Sequence, residues 1–231
     1  MLFSIVIPVL NEEKNLQACV ESCQKQEGDF DYEIIVVDNN STDNTLAIAN
    51  GLGVKVLKEI RQGVGQARET GTAVTRGEYI VHLDGDSRMP PTYLLDVYKK
   101  FEKDPKLVSL GGQMFFYDAT WWMGIVSPVL HYLFYGLVFV TMRGRIGPLG
   151  NNMVFKKSIY DKTKGFNVNL QYGEDADINK KLSKFGKVRL FMDLKCYVSA
   201  RRFNFLDKKF WLYSLNFFKL CFTGKPYKNE L

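Results

Sequence analysis

Early in the chain, apolar runs of strand length alternate with stretches of helical spacing, and every run ends in a cluster of polar residues. Phe3-Ser4-Ile5-Val6-Ile7 leads into Pro8-Val9-Leu10-Asn11-Glu12-Glu13. Glu33-Ile34-Ile35-Val36-Val37 leads into Asp38-Asn39-Asn40-Ser41-Thr42. Val54-Lys55-Val56-Leu57 runs towards Arg61-Gln62-Gly63-Val64-Gly65-Gln66-Ala67-Arg68, and Glu78-Tyr79-Ile80-Val81-His82-Leu83 closes on Asp84-Gly85-Asp86. Strands that alternate with helices build a parallel sheet covered on both faces. Ligands of such sheets bind beyond the carboxyl ends of the strands, and every polar cluster here falls at such an end. Asn11 or Glu12 is expected to cap the first helix, whose apolar positions are Leu16, Cys19, Val20 and Cys23. Ser41 or Thr42 is expected to cap the second, which runs through Leu46 and Ile48.

Asp84 and Asp86, two carboxylates at a strand end, suit a hard divalent cation. Mg²⁺ and Mn²⁺ favour oxygen ligands, and Mg²⁺ is usually held by one or two carboxylates plus substrate phosphates. Asp and Gly also make ordinary surface turns, so the pair gains meaning from the other strand ends. Two rival nucleotide sites are excluded. A dinucleotide fingerprint belongs between the first strand and first helix, where this chain has Pro8-Val9-Leu10-Asn11, and a phosphate-cradling loop needs a Gly-Lys-Ser/Thr sequence that is absent.

At 231 residues and 46% hydrophobic, the chain can bury a sizeable core as one domain. It has no repeat, low-complexity tract or linker-like stretch. Met1-Leu2-Phe3 leads straight into a core strand, with no basic n-region or cleavage site, so a signal peptide is not expected. The cysteines lack zinc spacing; Cys19 and Cys23 read as small apolar core residues in a reducing compartment.

IVIPVLNEEKNL, VVDNNSTDNT, GVGQAR, HLDGD and GEDADINKKL occur in the order found in family 2 glycosyltransferases, and the resemblance spans roughly the first two hundred residues. It implies an α/β, GT-A (Rossmann-like), mostly parallel central sheet flanked by helices. It also implies an inverting transfer from a UDP- or GDP-linked sugar with Mg²⁺ or Mn²⁺ as cofactor. Residues 1–118 would bind the nucleotide sugar and 119–200 the acceptor. Two departures stand out: Asn39 and Asn40 replace an acid and a glycine, and Arg68-Glu69-Thr70 stands where an Arg-Asn pair is common. The resemblance sets Pro8, Asn11, Glu12, Asp38, Arg68, Asp84, Gly85, Asp86 and Arg202 along the donor. Within that set Asp38 would accept a base N–H, and Glu12 would touch ribose or base. Arg68, with Arg61, would add positive charge. Asp86 would hold the cation, while Asp84 shares it or reaches the ribose hydroxyls.

The general base is expected in Gly173-Glu174-Asp175-Ala176-Asp177, which opens a helix with apolar positions Ile178, Leu182 and Phe185. The macrodipole favours acids in a first turn, but three exceed that need. The resemblance assigns the base to Asp175, with Glu174 orienting the site or contacting the acceptor, and a single base without a separate nucleophile means direct displacement with inversion. Gly150-Asn151-Asn152-Met153 either lines the acceptor pocket or forms a plain turn.

Residues 121–142, WWMGIVSPVLHYLFYGLVFVTM, carry no formally charged side chain and are long enough to span a bilayer. A single crossing would put Asp86 and Asp175 on opposite sides, so two short helices interrupted at Pro128 are expected, either core or dipping into a membrane interface. From Arg201 to Leu231 there are seven Lys/Arg against two Asp/Glu, interleaved with aromatics, out of a net charge of +6. Lys208 through Phe222 reads as a basic amphipathic helix that either lies on an anionic membrane or packs on the domain. Arg201 and Arg202 could instead reach the donor diphosphate. No nucleic-acid motif accompanies the basic-aromatic tail, so no nucleic-acid partner is expected. The expected function is glycosyl transfer to a lipid-linked acceptor, peripheral on the cytoplasmic face of the membrane. The alternatives are a soluble transferase for protein or small molecules and a non-catalytic nucleotide-sugar-binding domain.

Overall fold

The computed structural model describes residues 1–120, 129, 133, 147–148, 150–170 and 173–202, with the backbone alone at 202. Strand β1 (Phe3–Val9) is followed by α1 (Leu16–Gln24), β2 (Tyr32–Asp38), α2 (Thr45–Gly51), β3 (Lys55–Lys58), α3 (Val64–Ala73) and β4 (Tyr79–Leu83). Then come β5 (Ser87–Arg88), α4 (Tyr93–Lys103), β6 (Leu107–Phe116), β7 (Asn152–Lys156), α5 (Lys157–Tyr160), α6 (Glu174–Leu182), β8 (Lys187–Val198) and a 3-10 turn (Ala200–Arg202). Among the described residues the strands form one sheet, ordered β3-β2-β1-β4-β7-β6-β8-β5.

The first half is the parallel sheet that the sequence implies: β1 pairs in parallel with β2 and β4, and β2 with β3. Period-two alternation sends these strands into two separate cores. Phe3, Ile5, Ile7 and Val9 of β1 join Ile34, Val36, Val81 and Leu83 on the face covered by Leu16, Cys19, Val20 and Cys23 of α1 and by Tyr93, Leu94, Val97 and Phe101 of α4. Val6, Ile35, Val37 and Ile80 face the other way, onto Ala67 of α3 and Ile178 and Leu182 of α6. The second half is mixed: β7 runs antiparallel to β4 and β6, while β8 is parallel to β6.

Pro8 sits in β1 opposite Val37, where the missing N–H is tolerated because the ladder with β4 stops at Val6. The strand order reverses beside β1, so the carboxyl ends of β1 and β4 splay apart and leave the crevice where ligands of such sheets bind.

Both expected helix caps are corrected. Helix α1 starts later than expected, after a turn closed by Asn15 N–H and Leu16 N–H on the Glu12 carbonyl, with Asn15 rather than Asn11 or Glu12 at its N-cap. Asn11 instead adopts φ +56° and accepts from the Thr42 amide at 2.8 Å, tying the β1 and β2 ends together. Helix α2 has Asn44 at its N-cap, and Asp43 rather than Ser41 or Thr42 accepts from the Thr45 amide, at 2.9 Å. Phe185, expected on the buried face of α6, lies beyond the helix end and is exposed. Apart from residues 129 and 133, the expected helices in 121–142 and 208–222 lie outside the described residues.

Candidate active site

At the end of β2, Asp38 is buried. Its Oδ1 accepts weakly from the Ser41 amide at 3.4 Å, while Oδ2 has no hydrogen-bond partner among the described residues. A buried carboxylate oxygen left unpaired is costly, and this one lies at the carboxyl end of β2. Asn39 explains its own departure from the family's acid. Its Nδ2 donates to the carbonyls of Glu59 (2.9 Å) and Arg61 (2.7 Å), and its Oδ1 accepts from Gly63 N–H at 2.8 Å. An ionised carboxylate cannot donate, so only the amide can latch this loop. Asn40, in place of glycine, holds φ +63°, a left-handed conformation that Asn adopts more readily than most residues. Arg61 is turned onto Glu59 by two contacts of 3.0 and 2.9 Å, which with Thr70 hold the Glu59 carboxyl at about 2.

Arg68, on α3, is 3% exposed and bridges the two halves of the molecule. One nitrogen donates to Asp84 Oδ1 at 2.8 Å and the other forms a very short contact with Glu174 Oε1. Burial opposes the guanidinium charge, but Glu174, Asp84 and Asp175 outweigh it and keep Arg68 protonated. Burial pushes the Glu174 carboxyl up to about 7; Arg68 pulls it down, and the charges of Asp175 and Asp84 add to the rise. His82, beneath the site, is held neutral by burial and by Arg68, and its Nε2 lies 3.0 Å from the Thr72 hydroxyl.

The three acids of α6 have three separate orientations. Glu174 goes to Arg68, and Asp177 pairs with Lys181 along the helix at 2.7 Å. Asp175 stays partly exposed, with Oδ1 accepting from Ala176 N–H at 2.7 Å and Oδ2 from Gly150 N–H at 3.0 Å. Gly150 is needed there, since a Cβ would sit 2.3 Å from the Arg68 guanidinium nitrogens. The 150–153 segment therefore abuts the candidate base, and Asn152 is buried with its side chain spanning to Gly112.

Asp84 and Asp86 are separated by a tight turn closed by Ser87 N–H on the Asp84 carbonyl, 2.9 Å. Their carboxylates take different partners. Asp84 faces Arg68, whereas Asp86 meets Arg201 Nε at 3.5 Å, and the same guanidinium forms a very short contact with Glu12 Oε1. Glycine is needed at 85 because a Cβ would approach Val9 Cγ1 to 2.8 Å and Glu12 Cγ to 3.1 Å. Arg201 is aimed by Asp118, which accepts from the Ser199 hydroxyl and the Ala200 amide, both at 2.5 Å. The turn is further pinned by Ser199 N–H on the Asp86 carbonyl at 3.1 Å.

Asp86 and Glu12 form a hard-oxygen donor set, and Arg201 shows that a positive charge is accepted there. Among the described residues no three or more His, Cys, Asp or Glu side chains gather into a self-sufficient cage. Sequence reasoning brought Arg68, Asp84, Glu174 and Asp175 to one place. It missed Asp118, and it did not pair Arg201 with Glu12, because both links join residues far apart in the chain.

The family model described as "Glycosyl transferase family 2" matches residues 4–164. Among curated relatives, glycosyltransferase GlyG of Streptococcus pneumoniae is 36% identical over 126 residues, covering 52% of this chain and 41% of that protein. Chondroitin synthase of Escherichia coli is 29% identical over 190 residues, covering 80% of this chain and 27% of that protein. The chain thus spans less than half the length of either relative. Among solved structures, the mannosyltransferase PcManGT of Pyrobaculum calidifontis, in complex with GDP-Man and Mn²⁺, superposes with a TM-score of 0.70 at 19% identity, covering 87% of this chain and 57% of that one. S. aureus TarS 1–349 with UDP gives 0.66 at 20% identity, covering 86% and 60%. The sheet order, the strand-end motifs and the family match agree: this chain belongs to glycosyl transferase family 2.

Proposed function

We propose that this chain transfers a sugar, with inversion, from a nucleotide-diphosphate sugar to an acceptor hydroxyl or phosphate, and that the acceptor is a lipid-linked glycan precursor met at a membrane surface. The observation that carries the transfer is the Arg68 bridge, which ties Asp84 at the donor end of the sheet to Glu174, next in the chain to Asp175. Asp38 Oδ2 accepts a base N–H, and Asp84 and Glu12 lie along the ribose. Arg202, on the 3-10 turn after β8, is assigned to the diphosphate by the family resemblance. A divalent cation at Asp86 would neutralise charge on the departing diphosphate. Asp175, fixed by two backbone amides, takes the acceptor proton as the nucleophile attacks from the face opposite the leaving group. The structures solved with UDP and with GDP-Man and Mn²⁺ support both donor classes and the cation.

The membrane reading rests on where the apolar segment is anchored. In sequence it follows Asp118, which is bonded to the turn carrying Arg201 beside Asp86. In sequence it precedes Gly150, which is bonded to Asp175. The described residues that flank this stretch, Asp118 and Gly150, therefore sit at the two poles of the site, and Arg201, at the start of the basic tail, sits beside the first. Among the described residues no helix is long and apolar enough to cross a membrane. The test is sugar transfer from UDP and GDP sugars to a polyprenyl-phosphate acceptor, with the product anomer assigned by NMR. Inverted product supports the reading. Retained configuration, or transfer only to water-soluble acceptors, contradicts it.

A further inference from the structure

Arg201 presents a cation to carboxylates that the proposed reaction needs for other partners. Its side chain is 36% exposed, yet it contacts two carboxylates that are almost wholly buried, Glu12 at 2% and Asp86 at 4%. Those two groups come from different strand ends, after β1 and after β4, and Gly85 lets them approach. The guanidinium offsets their mutual repulsion.

We infer that Arg201 holds the cation subsite of the donor-free chain, so that its guanidinium and a divalent cation are alternative occupants of Asp86. A second positive charge within a few ångströms of the same carboxylate is repelled by the first, and in a partly buried site that repulsion is weakly screened. Cation arrival therefore loosens Arg201 from Asp86, and by reciprocity Arg201 weakens cation binding until it leaves. Once loosened, it is a positive charge at the mouth of the donor site, beside a diphosphate. Asp118 acts as a positioning residue: by fixing Ser199 and Ala200 it aims Arg201 inward without touching the subsite itself. The inference deepens the proposed function and rests on the reading of Asp86 as the cation carboxylate.

The test is Mn²⁺ titration, followed by the EPR signal of the free ion, on the whole chain without nucleotide and again with UDP or GDP. Arg201→Gln should bind nucleotide-free Mn²⁺ about fivefold tighter than the parent, the scale of one partly exposed ion pair. Asp118→Asn should shift affinity in the same direction by less, and Arg201→Lys, which keeps the charge but not the fork, should fall between parent and Gln. Circular dichroism checks folding; if the Gln variant does not fold, the Lys and Asp118 variants carry the comparison. If the parent binds Mn²⁺ with UDP or GDP but these variants bind the free ion no tighter, Arg201 does not compete and the inference fails while the function stands. If the parent takes up no Mn²⁺ with either nucleotide, the cation reading of Asp86 itself fails.

Discussion

Two arginines in this molecule do the same local chemistry with opposite consequences. Arg68 and Arg201 each bridge a pair of carboxylates contributed by segments distant in sequence. Arg68 is 3% exposed and sits on a helix packed between sheet and α6, so neither it nor Glu174 has water to fall back on, and Asp84 alone of the three reaches solvent. Arg201 is 36% exposed and rides on a short turn after the last strand. A buried bridge cannot release a partner without leaving an uncompensated charge, whereas a half-exposed one can be exchanged for solvent or another cation. Burial thus divides the site into a fixed frame around Arg68 and an exchangeable end around Arg201.

The largest expected effect falls on the frame. Asp175→Asn is nearly isosteric but cannot take a proton, so kcat should drop on the order of 10²–10⁴-fold with donor affinity nearly unchanged. Comparable kcat in the variant would move the base to Asp177 or Glu174. Next in size, Arg68→Leu should cost about 3–5 kcal/mol of folding stability by leaving Glu174 and Asp84 without their shared donor, whereas Arg201→Leu should cost less, because the space vacated by a half-exposed side chain admits water to Glu12 and Asp86. Equal losses in urea unfolding would erase the contrast between the two bridges. A third test uses pH. Glu174 keeps its proton to about pH 7 when folded but releases it near 4.5 when unfolded, so the folded chain binds more protons in that window and stability falls as pH rises through it. Glu174→Gln should flatten this part of the Tm-against-pH curve, and an unchanged slope would contradict the assignment. The smallest effect lies on the tail. Lys209→Gln should weaken binding to anionic vesicles about fivefold at low salt, since each basic residue near such a surface contributes about 1 kcal/mol. No change in co-sedimentation would remove Lys209 from that surface.

The fixed frame was largely legible in the sequence, and the exchangeable end was not. Strands β1, β2 and β4 announce themselves as apolar runs, and their polar ends follow from strand direction alone. Asp84 and Asp86 read as one clamp, yet a closed turn between them sends one carboxylate to Arg68 and the other to Arg201. Local spacing cannot show this, because the partner of Asp86 comes from the far end of the described chain. The short strand β5 and its pairing with β8 are likewise set by tertiary contacts rather than by propensity. Asn39 looked like a loss relative to the family's acid, and its donor role appears only once the carbonyls of Glu59 and Arg61 are beside it.

The central claim is that the donor is held through a cation at the exchangeable end. Titration calorimetry of UDP, GDP and their sugars, with Mn²⁺ and then with EDTA, on the parent chain and on Asp86→Ala tests it directly. The account predicts that one of these ligands binds the parent in Mn²⁺ and loses that affinity in EDTA, while Asp86→Ala shows no gain from the ion. Equal binding in EDTA and Mn²⁺, with the Ala variant retaining full turnover, would contradict it.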